Sequence, residues 1–156
     1  MSWFTKLSGE EGWGTRGGRI FVAVVGEEVK GKAGMIIGWC MATMAYPPHL
    51  PDTLLSQLYL SAIYVHASYV TQGVGRQLVQ YLATEAGKGH AELIRAECKR
   101  LPKLVQMHES WGFTPVRYTG WAEDYEDKMQ LFHMDLRTDE EREQDEYVED
   151  EDEEDE

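Results

Sequence analysis

The stretch IYVHASYVTQGVGRQL, residues 63–78, constrains this chain more than any other. It completes a run, QLYLSAIYV at 57–65, that is rich in aromatic and β-branched side chains on both faces, the composition of a central strand. Beyond Gly75 the apolar residues Leu78, Val79, Leu82, Ala83 and Ala86 recur with the rhythm of a helix that buries one stripe. Strand and helix are joined by a bend with Gly73 and Gly75 at its tip. Glycines there let backbone approach a ligand, and the N–H groups of a helix start have no helical partner, so the bend is a candidate anion site. A phosphate or pyrophosphate on main-chain donors is the favoured guest, with Arg76 as an added cation. Two other readings stay open on these residues. The glycines could simply turn the chain, or Gly73-Val74-Gly75 could open a dinucleotide fingerprint, although Leu78 replaces its third glycine and the loop is longer than that motif's tight turn.

Around this bend the patterning predicts six strands and two helices. Residues 20–25 and 35–45 are apolar, β-branched runs separated by Gly26, Gly31 and Gly34, which reads as an antiparallel hairpin. Three prolines at 47, 48 and 51 make the next segment a loop. The helix after Gly75 stops at Gly87 and Gly89, and residues 93–98 form a short strand. Pro102 opens a second helix carrying Leu104, Val105, Met107, His108 and Trp111, closed by Gly112. Residues 114–118 and 130–136 supply two last strands, joined by an acidic loop at 119–128. The order β-β-β-α-β-α-β-β implies an α/β (α+β) mixed sheet with helices packed on it.

Charge divides the chain into unequal parts. Residues 139–156 hold 14 acidic residues and one base, Arg142, whereas the rest of the chain is balanced, so the net −13 resides in the tail. A run of like charges with few apolar side chains does not offset its ordering entropy, and residues 138–156 are expected to be a disordered acidic tail. Residues 1–18, with five glycines, read as a flexible leader, which leaves 19–137 as one domain. No stretch reaches the ~18–20 apolar residues of a membrane span, and the N-terminus lacks the apolar core of a secretory signal. Two cysteines, Cys40 and Cys98, suit a reducing compartment. We therefore expect a cytoplasmic protein, with the nucleus left open. The neutral body offers no footprint for nucleic acid, and no His/Cys pair has metal-ligand spacing.

Residues 65–78, VHASYVTQGVGRQL, resemble the acetyl-CoA-binding motif A of the GCN5-related N-acetyltransferases (GNAT), V-x-P-x-x-[RQ]-x-x-G-x-[GA] followed by a helix. The second marker of that family, Y-x-x-x-G-F, is matched by His108-Glu109-Ser110-Trp111-Gly112-Phe113. The resemblance spans residues 19–137 and implies a GNAT-like fold shortened at its N-terminus, without the usual first strand and two helices. It further implies acetyl-CoA as co-substrate and no metal. Ile63, Tyr64 and Val65 would pair with the pantetheine arm, and the amides of Thr71, Gln72, Gly73, Val74, Gly75 and Arg76 would hold the pyrophosphate. Val70 stands where the family has Arg or Gln, which removes one side-chain contact.

The reaction so implied is transfer of acetyl to a primary amine, on a small molecule or a peptide. A lysine-like amine is neutral about once in 2,500 molecules at pH 7, a penalty of roughly 4.6 kcal/mol, so a proton acceptor is needed. Residues 57–65 contain no Asp, Glu or His, and Glu97 at the end of the next strand is the candidate base. The alternative for Glu97 is a solvated strand-end charge paired with Lys99 or Arg100. His108, in place of the family's tyrosine, is the candidate acid toward the thiolate, its alternative being a packing residue. Tyr59 and Tyr64 are alternative proton donors or, as is usual for strand tyrosines, packing residues, and His66 reads as a loop residue rather than a catalyst. Trp121, Glu123, Asp124, Tyr125, Glu126 and Asp127 border the acceptor in the family pattern and suit a cationic amine, the alternative being an ordinary solvated loop. Lys99, Arg100 and Lys103 read as a solvated face or a phosphate contact. The competing function is a non-catalytic GNAT-like module that binds acyl-CoA or a protein. A short N-terminus leaves a sheet edge, for which Trp3, Phe4 and Trp13 are candidate covers and a homodimer the expected assembly. The acidic tail is a candidate contact for a basic protein.

Overall fold

The computed structural model describes residues 3–8, 18–26 and 31–154. Seven strands form one sheet in the order β1-β2-β3-β4-β5-β7-β6. They are β1 (Trp3–Ser8), β2 (Gly18–Val25), β3 (Ile36–Thr43), β4 (Gln57–Val65), β5 (Leu93–Lys99), β6 (Thr114–Val116) and β7 (Met129–Asp135). The helices are α1 (Val74–Lys88), α2 (Pro102–Ser110) and α3 (Asp139–Glu154). Every neighbouring pair is antiparallel except β4 and β5. The mixed sheet and the order of elements from β2 to β7 agree with the pattern predicted from the residues.

Both ends of the chain differ from expectation. The leader contains β1, which pairs along its whole length with β2, Trp3 opposite Val25 and Ser8 opposite Ile20. Six residues carry little local signal, and what stabilises them is the free edge of β2, a non-local partner. Trp13 lies outside the described residues. The acidic tail starts as α3 rather than as coil. Thr138 and Glu141 form a reciprocal cap, the Thr138 amide donating to Glu141 Oε2 at 2.8 Å and the Glu141 amide to Thr138 Oγ1 at 3.3 Å. Asp139, Glu140 and Glu141 then sit in the first turn, where negative charge complements the helix dipole.

Alternation along the strands assigns the two faces. Phe21, Ala23, Cys40, Ala42, Leu58, Leu60, Ile94 and Ala96 meet Val74, Leu78, Val79 and Leu82 of α1 together with Trp111 and Phe113. On the opposite face a smaller core of Leu50, Tyr118, Ala122 and Leu131 lies under the loop at 45–56 and a 3-10 segment, Gly120–Asp127. The acidic loop at 119–128 is thus ordered. Among the described residues no helix is long and apolar enough to cross a membrane.

Candidate active site

β4 and β5 run parallel for only three pairs, Gln57–Leu93, Leu58–Ile94 and Tyr59–Arg95. Beyond them the strands part, and the backbone of β4 from residue 60 to 65 has no ladder on that side. A bulge explains where the opening starts. On the other edge of β4, Met41 pairs with Ala62 and Ala42 with Leu60, so Ser61 is the extra residue, and its hydroxyl donates to the Met41 carbonyl at 3.0 Å. A bulge bends its strand and increases its twist. Ile63, Tyr64 and Val65 lie on this parted segment, with the Tyr64 ring tilted against Trp39 and half exposed. Their free peptide groups can accept one extended ligand.

The helix start faces the same end of the strand. After Val65 the chain makes a 3-10 turn, Ala67–Tyr69, capped by His66, whose Nδ1 accepts the Ser68 amide at 3.1 Å. His66 is therefore a loop residue, as the sequence suggested. Gly73 caps α1 with φ of 78°, a left-handed conformation that favours glycine. The first bond inside the helix is from the Gln77 amide to the Gly73 carbonyl at 3.1 Å, so the amides of Val74, Gly75 and Arg76 have no partner within α1. The Gln72 amide, by contrast, is already donated to Tyr69 at 3.1 Å, which takes its main-chain donor out of the expected anion cradle. Thr71 and Arg76 are exposed beside the bend. Gly75 also has a packing role. A Cβ built on it would lie 2.9 Å from Trp111 Cζ2 and 3.0 Å from both Cε2 and Nε1, so its small size seats α1 on an indole.

Glu97 departs from the solvated alternative. Its side chain is only 5 % exposed, and it contacts neither Lys99 nor Arg100 as an ion pair among the described residues. It accepts from the Tyr59 hydroxyl at 2.9 Å, from the Tyr118 hydroxyl, and from His49 Nε2 at 2.7 Å. Burial, then the adjacent carboxylate, raises the pKa of both phenols, so they remain donors. Tyr59 is accordingly part of a polar cluster rather than plain packing. His49 stacks on Tyr125 with ring centroids 4.3 Å apart and planes within 9°. Sequence reasoning missed His49 because it sits in a proline-rich loop with no periodicity, 48 positions from its carboxylate.

His108 occupies the other face. It is buried, its ring lies 4.9 Å from Phe132 in a stacked arrangement and 4.9 Å from Trp111. Nδ1 is 2.8 Å from the Leu104 carbonyl, which only accepts, so the ring's proton is held on Nδ1 and directed into its own helix. Burial pushes its pKa below the usual histidine range. This arrangement suits the packing reading of His108 and opposes service as an acid.

A cavity of about 780 Å³ adjoins the cluster, lined by Lys99, Arg100, Leu101, Asp124, Tyr125, Asp127, Lys128 and Met129. Tyr125 connects it to His49. Glu126 does not line this cavity; it binds Arg117 at 3.3 Å and the Tyr118 amide at 2.9 Å. Trp121 and Lys103 are exposed. Among the described residues no group of His, Cys, Asp or Glu is placed to hold a metal ion.

The sheet is mixed α/β and parts between its two parallel strands, opposite the N-terminus of α1. The chain matches the acetyltransferase (GNAT) domain over residues 16–115, and it belongs to that family. Among solved structures it is similar to a nourseothricin acetyltransferase (20 % identity, TM-score 0.56, covering 77 % of this chain and 66 % of that one). It is also similar to a putative streptothricin acetyltransferase from Bacillus anthracis in complex with acetyl coenzyme A (18 %, 0.56, 76 % and 62 %). A Bacillus subtilis acetyltransferase in complex with CoA aligns over its full length (15 %, 0.61, 87 % and 100 %). At these identities the likeness establishes the fold, and the chain spans less than two thirds of the first two neighbours. Among curated protein sequences none matches it.

Proposed function

We propose that this protein transfers an acetyl group from acetyl-CoA to a primary amine. The observation that carries the reading is the three-pair ladder between β4 and β5, which leaves β4 open opposite the free amides of α1. Acetyl-CoA supplies an activated thioester when bound. Ile63, Tyr64 and Val65 offer main-chain pairing to its pantetheine arm, and Val74, Gly75 and Arg76 offer amides to its diphosphate, assisted by the left-handed turn at Gly73. Glu97 lies on the segment of β5 beyond its last pair with β4, which supports a role for its cluster at the reacting end of such an arm. The neighbouring cavity is the acceptor's place.

Calorimetry with acetyl-CoA tests the grip. The unaltered chain is expected to bind, and Gly73→Val, which forces a β-branched residue into the left-handed region, to bind at least tenfold more weakly. Equal affinities for the two, or no binding by either, would defeat the assignment of this bend. The second reading, a binding module without catalysis, is favoured by the inward bond of His108 to Leu104. CoA release across a panel of small and peptide amines separates the two, release supporting transfer.

A further inference from the structure

We infer that His49, positioned by Glu97, is the group that takes the proton from the acceptor amine. The inference rests on the acetyl-transfer reading and assigns its base to a residue one step removed from the carboxylate picked out in the sequence. Glu97 itself is saturated on three sides. Tyr59 and Tyr118 donate their hydroxyls to it, His49 donates Nε2–H, and the side chain is 5 % exposed. A carboxylate in that state has little room for an incoming ammonium group. His49 is 16 % exposed, and no protein group among the described residues is bonded to its Nδ1.

The tautomer follows from the partner. A carboxylate surrounded by two phenol donors accepts, so the imidazole proton lies on Nε2 and the lone pair on Nδ1. Stacking on Tyr125 at 4.3 Å holds the ring plane, and Tyr125 also lines the adjoining cavity. The three constraints resemble those on any histidine base, namely an acceptor on one nitrogen, a fixed plane and no protein partner on the other nitrogen among the described residues. The titratable groups in contact with His49 are Glu97 on β5 and Tyr118 and Tyr125 from the segment between β6 and β7; Tyr59 on β4 shares the Glu97 carboxylate, and Arg95 on β5 binds the loop at Pro51. Asp124, Asp127, Lys99 and Lys128 line the cavity next to it.

The step balances as follows. Nδ1 takes one proton from the ammonium form of the acceptor and later releases it to solvent. The neutral nitrogen attacks the thioester carbonyl carbon, a C–N bond forms, the C–S bond breaks, and the second N–H proton leaves with the thiol.

Two measurements on the full chain decide the matter. Nitrogen-15 NMR of the unaltered protein is expected to show His49 as the Nε2–H tautomer, and an Nδ1–H tautomer overturns the inference whatever the activity. In turnover, His49→Ala is expected to lose about 10²-fold or more in kcat while calorimetric affinity for acetyl-CoA is unchanged, and added imidazole to restore part of the rate. Glu97→Gln should lower kcat and change the pH at which activity sets in, a response that a purely structural tie would not produce. His49→Gln, closer in shape, guards against a folding artefact. Turnover that survives both His49 substitutions overturns the inference alone. Absence of CoA release from the unaltered chain overturns the transfer reading and the inference with it.

Discussion

Two glycines on α1 give a test in which one substitution should act with opposite signs. Alanine in place of glycine inside a helix gains about 1 kcal/mol in backbone terms. At Gly87, the penultimate residue of α1, a Cβ meets nothing within 4 Å, so part of that gain should be realised with no steric cost. At Gly75 the Cβ would fall 2.9–3.0 Å from three atoms of the Trp111 indole. The ring is rigid and buried, and it packs on His108 at 4.9 Å, so it has no free direction in which to yield. Overpacking of this kind costs about 1–3 kcal/mol, and contact with three atoms of one rigid plane puts it at about 2–3. Gly75→Ala should therefore be about 1–2 kcal/mol less stable than the parent and Gly87→Ala up to about 1 kcal/mol more stable. Urea unfolding reads the difference directly, as midpoints on either side of the parent with a common slope and a separation on the order of 1 M. If both variants shift the same way, or differ by less than about 0.5 kcal/mol, the seating of α1 on Trp111 is wrong. Because Gly75 also lies in the first turn of α1, a forced shift there should weaken acetyl-CoA binding, which Gly87→Ala should leave alone.

Three further outcomes are expected. His133 accepts Arg95 Nε–H at 3.1 Å, and burial followed by the Arg95 charge pulls its pKa down to about 4. The unfolded chain thus binds a proton that the folded chain refuses between about pH 6.5 and 4. Stability is full above that window and falls through it on acidification, by on the order of 1–2 kcal/mol after allowing for partial exposure, and His133→Gln should remove this component from a pH series of denaturation midpoints. Of the eight tyrosines, Tyr59 and Tyr118 should ionise above the ordinary phenol range in an alkaline absorbance titration, and their replacement by Phe should abolish that late phase; its persistence would contradict the Glu97 cluster. Ile20, Ile36 and Tyr64 expose apolar surface on the sheet face opposite α1, and light scattering is expected to give a dimer, with Ile36→Lys shifting it to monomer.

Local patterning was enough for the interior of this fold. The both-faces apolar run at 57–65 is β4 to the residue, and the stripe from Leu78 to Ala86 is the buried side of α1. These elements are specified by periodicities within a dozen residues, and the strand-bend-helix junction carries its own family signature. What was missed depends on distance. β1 exists because β2 offers an edge, and Gly75 is small because an indole 36 positions later lies across it. The acidic segment was judged by its charge, although Thr138 and Glu141 spell a capping box that starts a helix. Glu97 was legible as a candidate base from its place on the strand, but its three partners come from positions 49, 59 and 118. No window along the chain holds them together.

The buried Arg95 shows why that assembly nonetheless forms. On β5, Ile94, Ala96 and Cys98 join the core under the helices, so Arg95 and Glu97 fall on the opposite face. A guanidinium with 1 % exposure is tolerable only if acceptors replace water, and here they are the Pro51 carbonyl, Gln57 Oε1 at 2.9 Å and His133 Nε2. Of these, Pro51 belongs to the otherwise irregular loop between β3 and β4. Burying the cation thus requires that loop to lie across β5, and it brings His49, two residues before Pro51, level with Glu97, two residues after Arg95. The same alternation that gives one face of β5 to the core under the helices gives the other a cation that fixes the loop and a carboxylate that orients its histidine. The strand parts from β4 immediately beyond Arg95. The parting of β4 from β5 and the assembly of the cluster around Glu97 are therefore consequences of a single register.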